Sequence, residues 1–149
     1  MKKIDKWVTQ IKLVFLVFGD VFNPEDFTKL VNIPPSEIWI KGDEIKTNIH
    51  LRKSITLPKR KESAWEYTEG YIQTLDFGIL SRHFEHVFSN KKHEIRKFIE
   101  ANDLDATVNI IVEVVDGQTP SLTLSKDFIS LLNDMDLELD FEVYILCNE

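Results

Sequence analysis

The chain has little cysteine, glycine or proline: one Cys, five Gly and five Pro in 149 residues. Each scarcity excludes something. The lone thiol, Cys147, makes no internal disulfide, so the fold is no disulfide scaffold, and a free thiol fits a reducing compartment. In the tail of an apolar strand, it is expected as a small buried hydrophobe. So few Gly and Pro leave little room for flexible linkers, and residues 1–149 read as one globular domain. No apolar run approaches the about 20 residues that a membrane-spanning helix takes. The longest, Leu13 to Phe18, follows Lys2 and Lys3 in a loose imitation of a signal peptide. Lys6 and Lys12 break the imitation and no small-residue cleavage site follows, so a cytoplasmic protein is expected, with no membrane partner.

Catalytic signatures are also missing. There is no Gly-x-Ser-x-Gly elbow, and the glycines are scattered singly instead of forming a phosphate-cradling loop. Cys147 is badly placed to be oriented by a base. His83-x-x-His86 on a helix is the one metal-like spacing, with His93 near in sequence. Zinc needs a third and usually a fourth protein ligand, and neither a Cys pair nor an HExxH pattern supplies them. Both histidines flank an apolar stripe and read as half-exposed boundary residues. No cofactor, metal or catalytic residue is assigned.

What the chain does have is acid. The net charge is −7, with 12 Lys/Arg against 8 Asp/Glu in residues 1–62 and 6 against 17 in residues 63–149. An acidic field repels phosphate, so nucleic acid is excluded as a general partner. Lys59-Arg60-Lys61, the only dense basic run, reads as a solvated loop.

Hydrophobic periodicity places the elements. Ile4 to Phe18 reads as a long first strand with Ile11, Leu13, Phe15 and Val17 on one side. Asn23-Pro24-Glu25-Asp26 opens a short helix by N-cap, Pro at the first helical position and acids toward the macrodipole. Asn32 and Pro34-Pro35 end it. Ser36 to Lys41 is a strand, Gly42-Asp43 a turn, and Ile45, Ile49 and Leu51 continue a hairpin. Ala64 to Tyr67 is a further strand. Phe77, Leu80, Phe84, Val87 and Phe88 mark a second helix opened by Asp76, and Ile95, Phe98 and Ile99 a third. Ala106 to Val115 alternates as a strand, with a short paired strand at Leu122 to Leu124. Ser125 caps a fourth helix. The last strand alternates most regularly: Leu137, Leu139, Phe141, Val143 and Ile145 against Glu138, Asp140, Glu142 and Tyr144. It is expected to have one covered and one wet face.

Two segments, 11–41 and 107–146, share a strand–helix–strand order with Asp-Phe in the first helical turn (Asp26-Phe27 and Asp127-Phe128). The expected fold is therefore α+β: an antiparallel sheet with helices on one face, ferredoxin-like, built from two strand–helix–strand units.

Leu30-Val31-Asn32-Ile33-Pro34-Pro35, Trp39-Ile40-Lys41-Gly42-Asp43, Ser63-Ala64-Trp65 and the closing strand Leu137 to Tyr144 resemble a bacterial family catalogued as domain of unknown function 4279. The resemblance spans about residues 11–146. The family usually has Gly where this chain has Asn32, a mild departure because both adopt the left-handed conformation. The resemblance implies a fold and a bacterial origin, and no catalytic residues.

Two surface features carry the functional expectation. The acidic residues Glu138, Asp140 and Glu142 on the last strand suit electrostatic docking of a basic protein partner. The aromatics Trp39, Trp65 and Tyr67 are candidate interface anchors. The expected function is a non-catalytic protein-binding module, for example an immunity protein that neutralises a toxin. The competing expectation is a small ligand-binding domain or enzyme with a pocket between helices and sheet, involving His83, His86 or Trp65. A structural domain whose role is only homodimerisation, through an exposed sheet edge or the aromatic patch, is a third.

Overall fold

Residues 8–45 and 57–147 are described by a computed structural model of the chain. The sequence readings of residues 4–7 as strand and of Ile49 and Leu51 as hairpin lie outside the described residues.

The alternation read at Ile11 to Val17 produces the central strand β1 (Gln10–Gly19). Asn23 caps α1 (Pro24–Val31), its Oδ1 accepting from the Glu25 amide at 3.1 Å, and Asn32 closes the helix in the left-handed conformation at φ 56°. Then follow β2 (Glu37–Trp39), β3 (Ser63–Thr68), the two-residue β4 (Ile72–Gln73), α2 (Gly78–Phe88), a 3-10 turn and α3 (Lys92–Ala101). The chain continues with β5 (Asp105–Val115), α4 (Lys126–Asp134) and β6 (Glu138–Leu146). Asp76 Oδ1 accepts from the Gly78 amide at 2.8 Å, and Ser125 Oγ from Phe128 at 3.1 Å, so the side chains read as helix starts act there. The pairing read at Leu122 to Leu124 falls instead at Ser121, which bridges to Asp76.

Among the described residues the sheet is six-stranded, in the order β2-β3-β1-β5-β6, with β4 beside the start of β1. The α+β class is as read, but the sheet is mixed. Among the described residues all strand–strand pairings are antiparallel except β5–β6, which is parallel. The reason is connectivity: the crossover through α4 returns the chain in the same sense beside the strand it left. The two strand–helix–strand segments therefore differ in topology. β5-α4-β6 places its strands side by side, whereas β1-α1-β2 is split by β3. Phe27 and Phe128, the shared positions, are both fully buried.

One face of the sheet carries the helices. Ile11, Leu13, Phe15 and Val17 of β1, Trp65 and Tyr67 of β3, and Val108, Ile110, Val112 and Val114 of β5 form one cluster with Phe27, Phe84, Phe88, Ile95 and Phe128 of the helices. Trp65 is 0% exposed and Tyr67 buried, which removes both from any partner surface; the strand parity that pairs Glu66 with solvent points them at α1 and α2. Thr28 Oγ1 of α1 accepts from the Trp65 indole at 3.0 Å. Thr28→Val is expected to strand that buried donor and cost about 1–3 kcal/mol, read as a lower urea midpoint at unchanged m-value.

The helix layer stops short of β6. Phe141 is 41%, Val143 52% and Ile145 66% exposed, so the face expected to be covered lies open alongside the acidic one. Beyond it Cys147 is exposed, not buried. An edge strand has a neighbour on one side only, and α4 packs Phe128, Leu131 and Leu132 back onto the centre.

Candidate functional site

Strand register turns a scatter of acids into a surface. On the face that carries no helix among the described residues, Glu37 of β2 stands beside Glu66 of β3, then Leu16 of β1, Thr107 of β5 and Glu138 of β6, one row across five strands. The next rows run Thr68–Val14–Asn109–Asp140, Lys12–Ile111–Glu142 and Gln73–Gln10–Glu113–Tyr144. Trp39 belongs to the row of Ala64, Phe18 and Asp105. The sequence candidates Glu138, Asp140, Glu142 and Trp39 thus share one face, which they do not share with Trp65 and Tyr67.

Register adds residues that sequence reasoning did not offer as partner-binding, Glu37, Glu66, Glu113 and Lys12, and ring contacts add Tyr71 beside Lys12 and Arg60 of the basic run beside Trp39. The polar slots of alternating strands held a usable signal for Glu66 and Glu113. Neither belongs to a local cluster, and only strand order brings them beside β6. Gln10 donates to Glu113 at 2.8 Å, and the Lys12 ammonium lies 4.7 Å from the centroid of the Tyr71 ring. Burial, then the hydrogen bond to Glu113, pushes the Tyr71 hydroxyl up to about 12. Across the face the Arg60 guanidinium sits 4.1 Å over the Trp39 ring, a stacked cation that shields part of the indole.

Glu66 is the strained member. Partial burial, then the neighbouring Glu37 carboxylate, raises its pKa, while Lys12 and Arg60 pull it down less. A raised folded-state pKa gives stability that is present below the unfolded value and is lost as pH rises through the folded one. Glu66→Gln is therefore expected to be more stable than the native protein at pH 7, with the difference shrinking at pH 4. Paired urea titrations at the two pH values check this.

The helix-facing side has a smaller polar group. His83 Nε2 lies 3.2 Å from Glu69 Oε1 and 3.4 Å from the Tyr67 hydroxyl, which donates to Glu69. Those two hydrogen bonds hold the Glu69 carboxyl below its usual range, and burial raises Tyr67. The group heads a cavity of about 20 Å³ lined by Leu13, Ile72, Leu80 and Phe84, room for one water. His83 and His86 are both exposed. Among the described residues no group of three His, Cys, Asp or Glu side chains gathers as metal ligands, and no helix there is long and apolar enough to cross a membrane.

The molecule is thus a mixed-sheet α+β protein with one acid-rich sheet face that, among the described residues, is helix-free. The sequence model of a family described as "Domain of unknown function (DUF4279)" matches residues 9–146, and the chain belongs to that family. No curated protein and no solved structure matches it.

Proposed function

We propose that this protein is a non-catalytic binding module that docks a basic protein partner on the helix-free face of its sheet. An intracellular immunity protein, neutralising a basic toxin in a bacterium, is the role that this surface suits. The observation that carries the reading is the register-built row Glu37–Glu66–Glu138 continued by Asp140, Glu142 and Glu113; among the described residues the cations beside it are Lys12 next to Tyr71 and, around Trp39, Lys59, Arg60 and Lys61. Complementary charge of this extent steers a basic partner and rejects acidic ones. Capture from native lysate tests it: a stoichiometric basic protein is expected, and retention of acidic proteins only, or of none, contradicts the reading.

The small-ligand reading has the Tyr67–Glu69–His83 group in its favour. Size weighs against that group as a metabolite site, since metabolite pockets run to about 300–1,000 Å³ and the cavity beneath it measures about 20 Å³. Large thermal stabilisation by a single metabolite would revive it.

A further inference from the structure

We infer that the partner is held by strand addition: an extended segment alternating basic with apolar residues pairs onto the outer edge of β6. The inference rests on the protein-binding reading above and gives it a geometry.

β6 is the last strand of the sheet, and among the described residues no strand or isolated bridge pairs with its outer side. The Asp116 amide donates to the Leu146 carbonyl at 3.1 Å, which turns the Leu146 backbone toward β5. Alternation then turns the N–H and C=O groups of Leu139, Phe141, Val143 and Ile145 outward. Of these, Phe141, Val143 and Ile145 also carry exposed apolar side chains, while Leu139 is half-buried against the core. Proteins usually blunt such an edge with charged side chains, Lys above all, with Pro or with a bulge, and the charges on β6 are all acids, which oppose an acidic strand and favour a basic one. β6, Glu-Leu-Asp-Phe-Glu-Val-Tyr-Ile-Leu, has no Lys or Pro, and its register with β5 runs unbroken over all nine residues.

Charge selects the occupant. A second copy of this chain fits badly. Two β6 strands paired about a two-fold axis in even register set Glu138, Asp140 and Glu142 against their own counterparts on one face. Odd register puts the acids of one copy on the apolar side of the other. A partner strand with Lys or Arg on the helix-free side and aliphatic residues on the helix side satisfies both faces. Its cations meet the acids while its aliphatics extend the row Leu139, Phe141, Val143. Main-chain hydrogen bonds supply affinity in this mode and alternate side chains supply specificity.

The test uses the full chain and synthetic nine-residue peptides matched to the length of β6. One alternates Lys and Val; a second has the same composition in two blocks. Two more are the alternating peptide N-methylated at every Val or at every Lys. Calorimetric titration is expected to give tighter binding of the alternating peptide than of the block peptide by about tenfold or more, the worth of one net backbone hydrogen bond. One methylated peptide is expected to lose binding while the other keeps it: the Val series if the added strand is antiparallel, the Lys series if parallel. Val143→Lys, a fold-neutral change at an exposed site by circular dichroism, is expected to weaken the alternating peptide by about the same factor. Equal binding of alternating and block peptides overturns strand addition and leaves charge docking standing. Failure of every lysine peptide to bind overturns both. A concentration-dependent dimer in sedimentation that Val143→Lys dissolves overturns the inference by assigning the edge to a second copy.

Discussion

Phe15→Ala is expected to remove about 3–5 kcal/mol of unfolding free energy, most of what a small domain has. Phe15 sits fully buried on the central strand, and its ring meets those of Phe27, Trp65, Phe84 and Phe88 edge-on at centroid distances of 6.3, 5.9, 5.6 and 5.0 Å. These partners come from α1, β3 and α2, so one side chain joins the helix layer to two strands. Truncation opens a void among rigid rings that cannot collapse into it, and each ring also loses its edge-to-face partner. Phe15→Leu keeps much of the volume and is expected to cost clearly less. Urea unfolding followed by circular dichroism measures both. A loss below about 1.5 kcal/mol for Phe15→Ala, the range of mild core swaps, contradicts the packing described.

The second large effect falls on binding. Replacing Glu138, Asp140 and Glu142 together by Lys is expected to weaken capture of a basic partner by a hundredfold or more, since like charges brought together across an interface cost several kcal/mol. Stability should barely move, because all three residues are exposed, and reversal relieves crowding in an acid-rich face. Native binding is expected to weaken with added salt as screening shortens the reach of the field, and the residual binding of the triple variant to lack that dependence. Capture unchanged in the variant removes β6 from the docking surface.

The helices and long strands were readable because their signals are local. Asn23, Pro24, Asn32 and Ser125 act through bonds to neighbours a few residues away, and the alternation in β1 and β5 survives into the core. The parallel sense of β6 was not readable, since alternation is the same in either direction. Nor was its openness: the pattern Leu139, Phe141, Val143 says which residues share a face but not whether a helix reaches them. Trp65 and Tyr67 illustrate the limit from the other side. Their pairing on one face was legible, but which face met the helices depended on the position of β3 between β1 and β2. The acidic surface was legible only in its last strand, because Glu37, Glu66 and Glu113 join it through register across the sheet.

The docking face itself is best tested by carboxylate footprinting, in which carbodiimide labels accessible Asp and Glu and mass spectrometry reads each site with and without the captured partner. Protection is predicted at Glu138, Asp140, Glu142 and Glu113 on the helix-free face, with Glu94 and Glu100 of α3 labelled equally in both states. Protection confined to the α3 carboxylates, with the β6 acids labelled as in the free protein, would contradict the account.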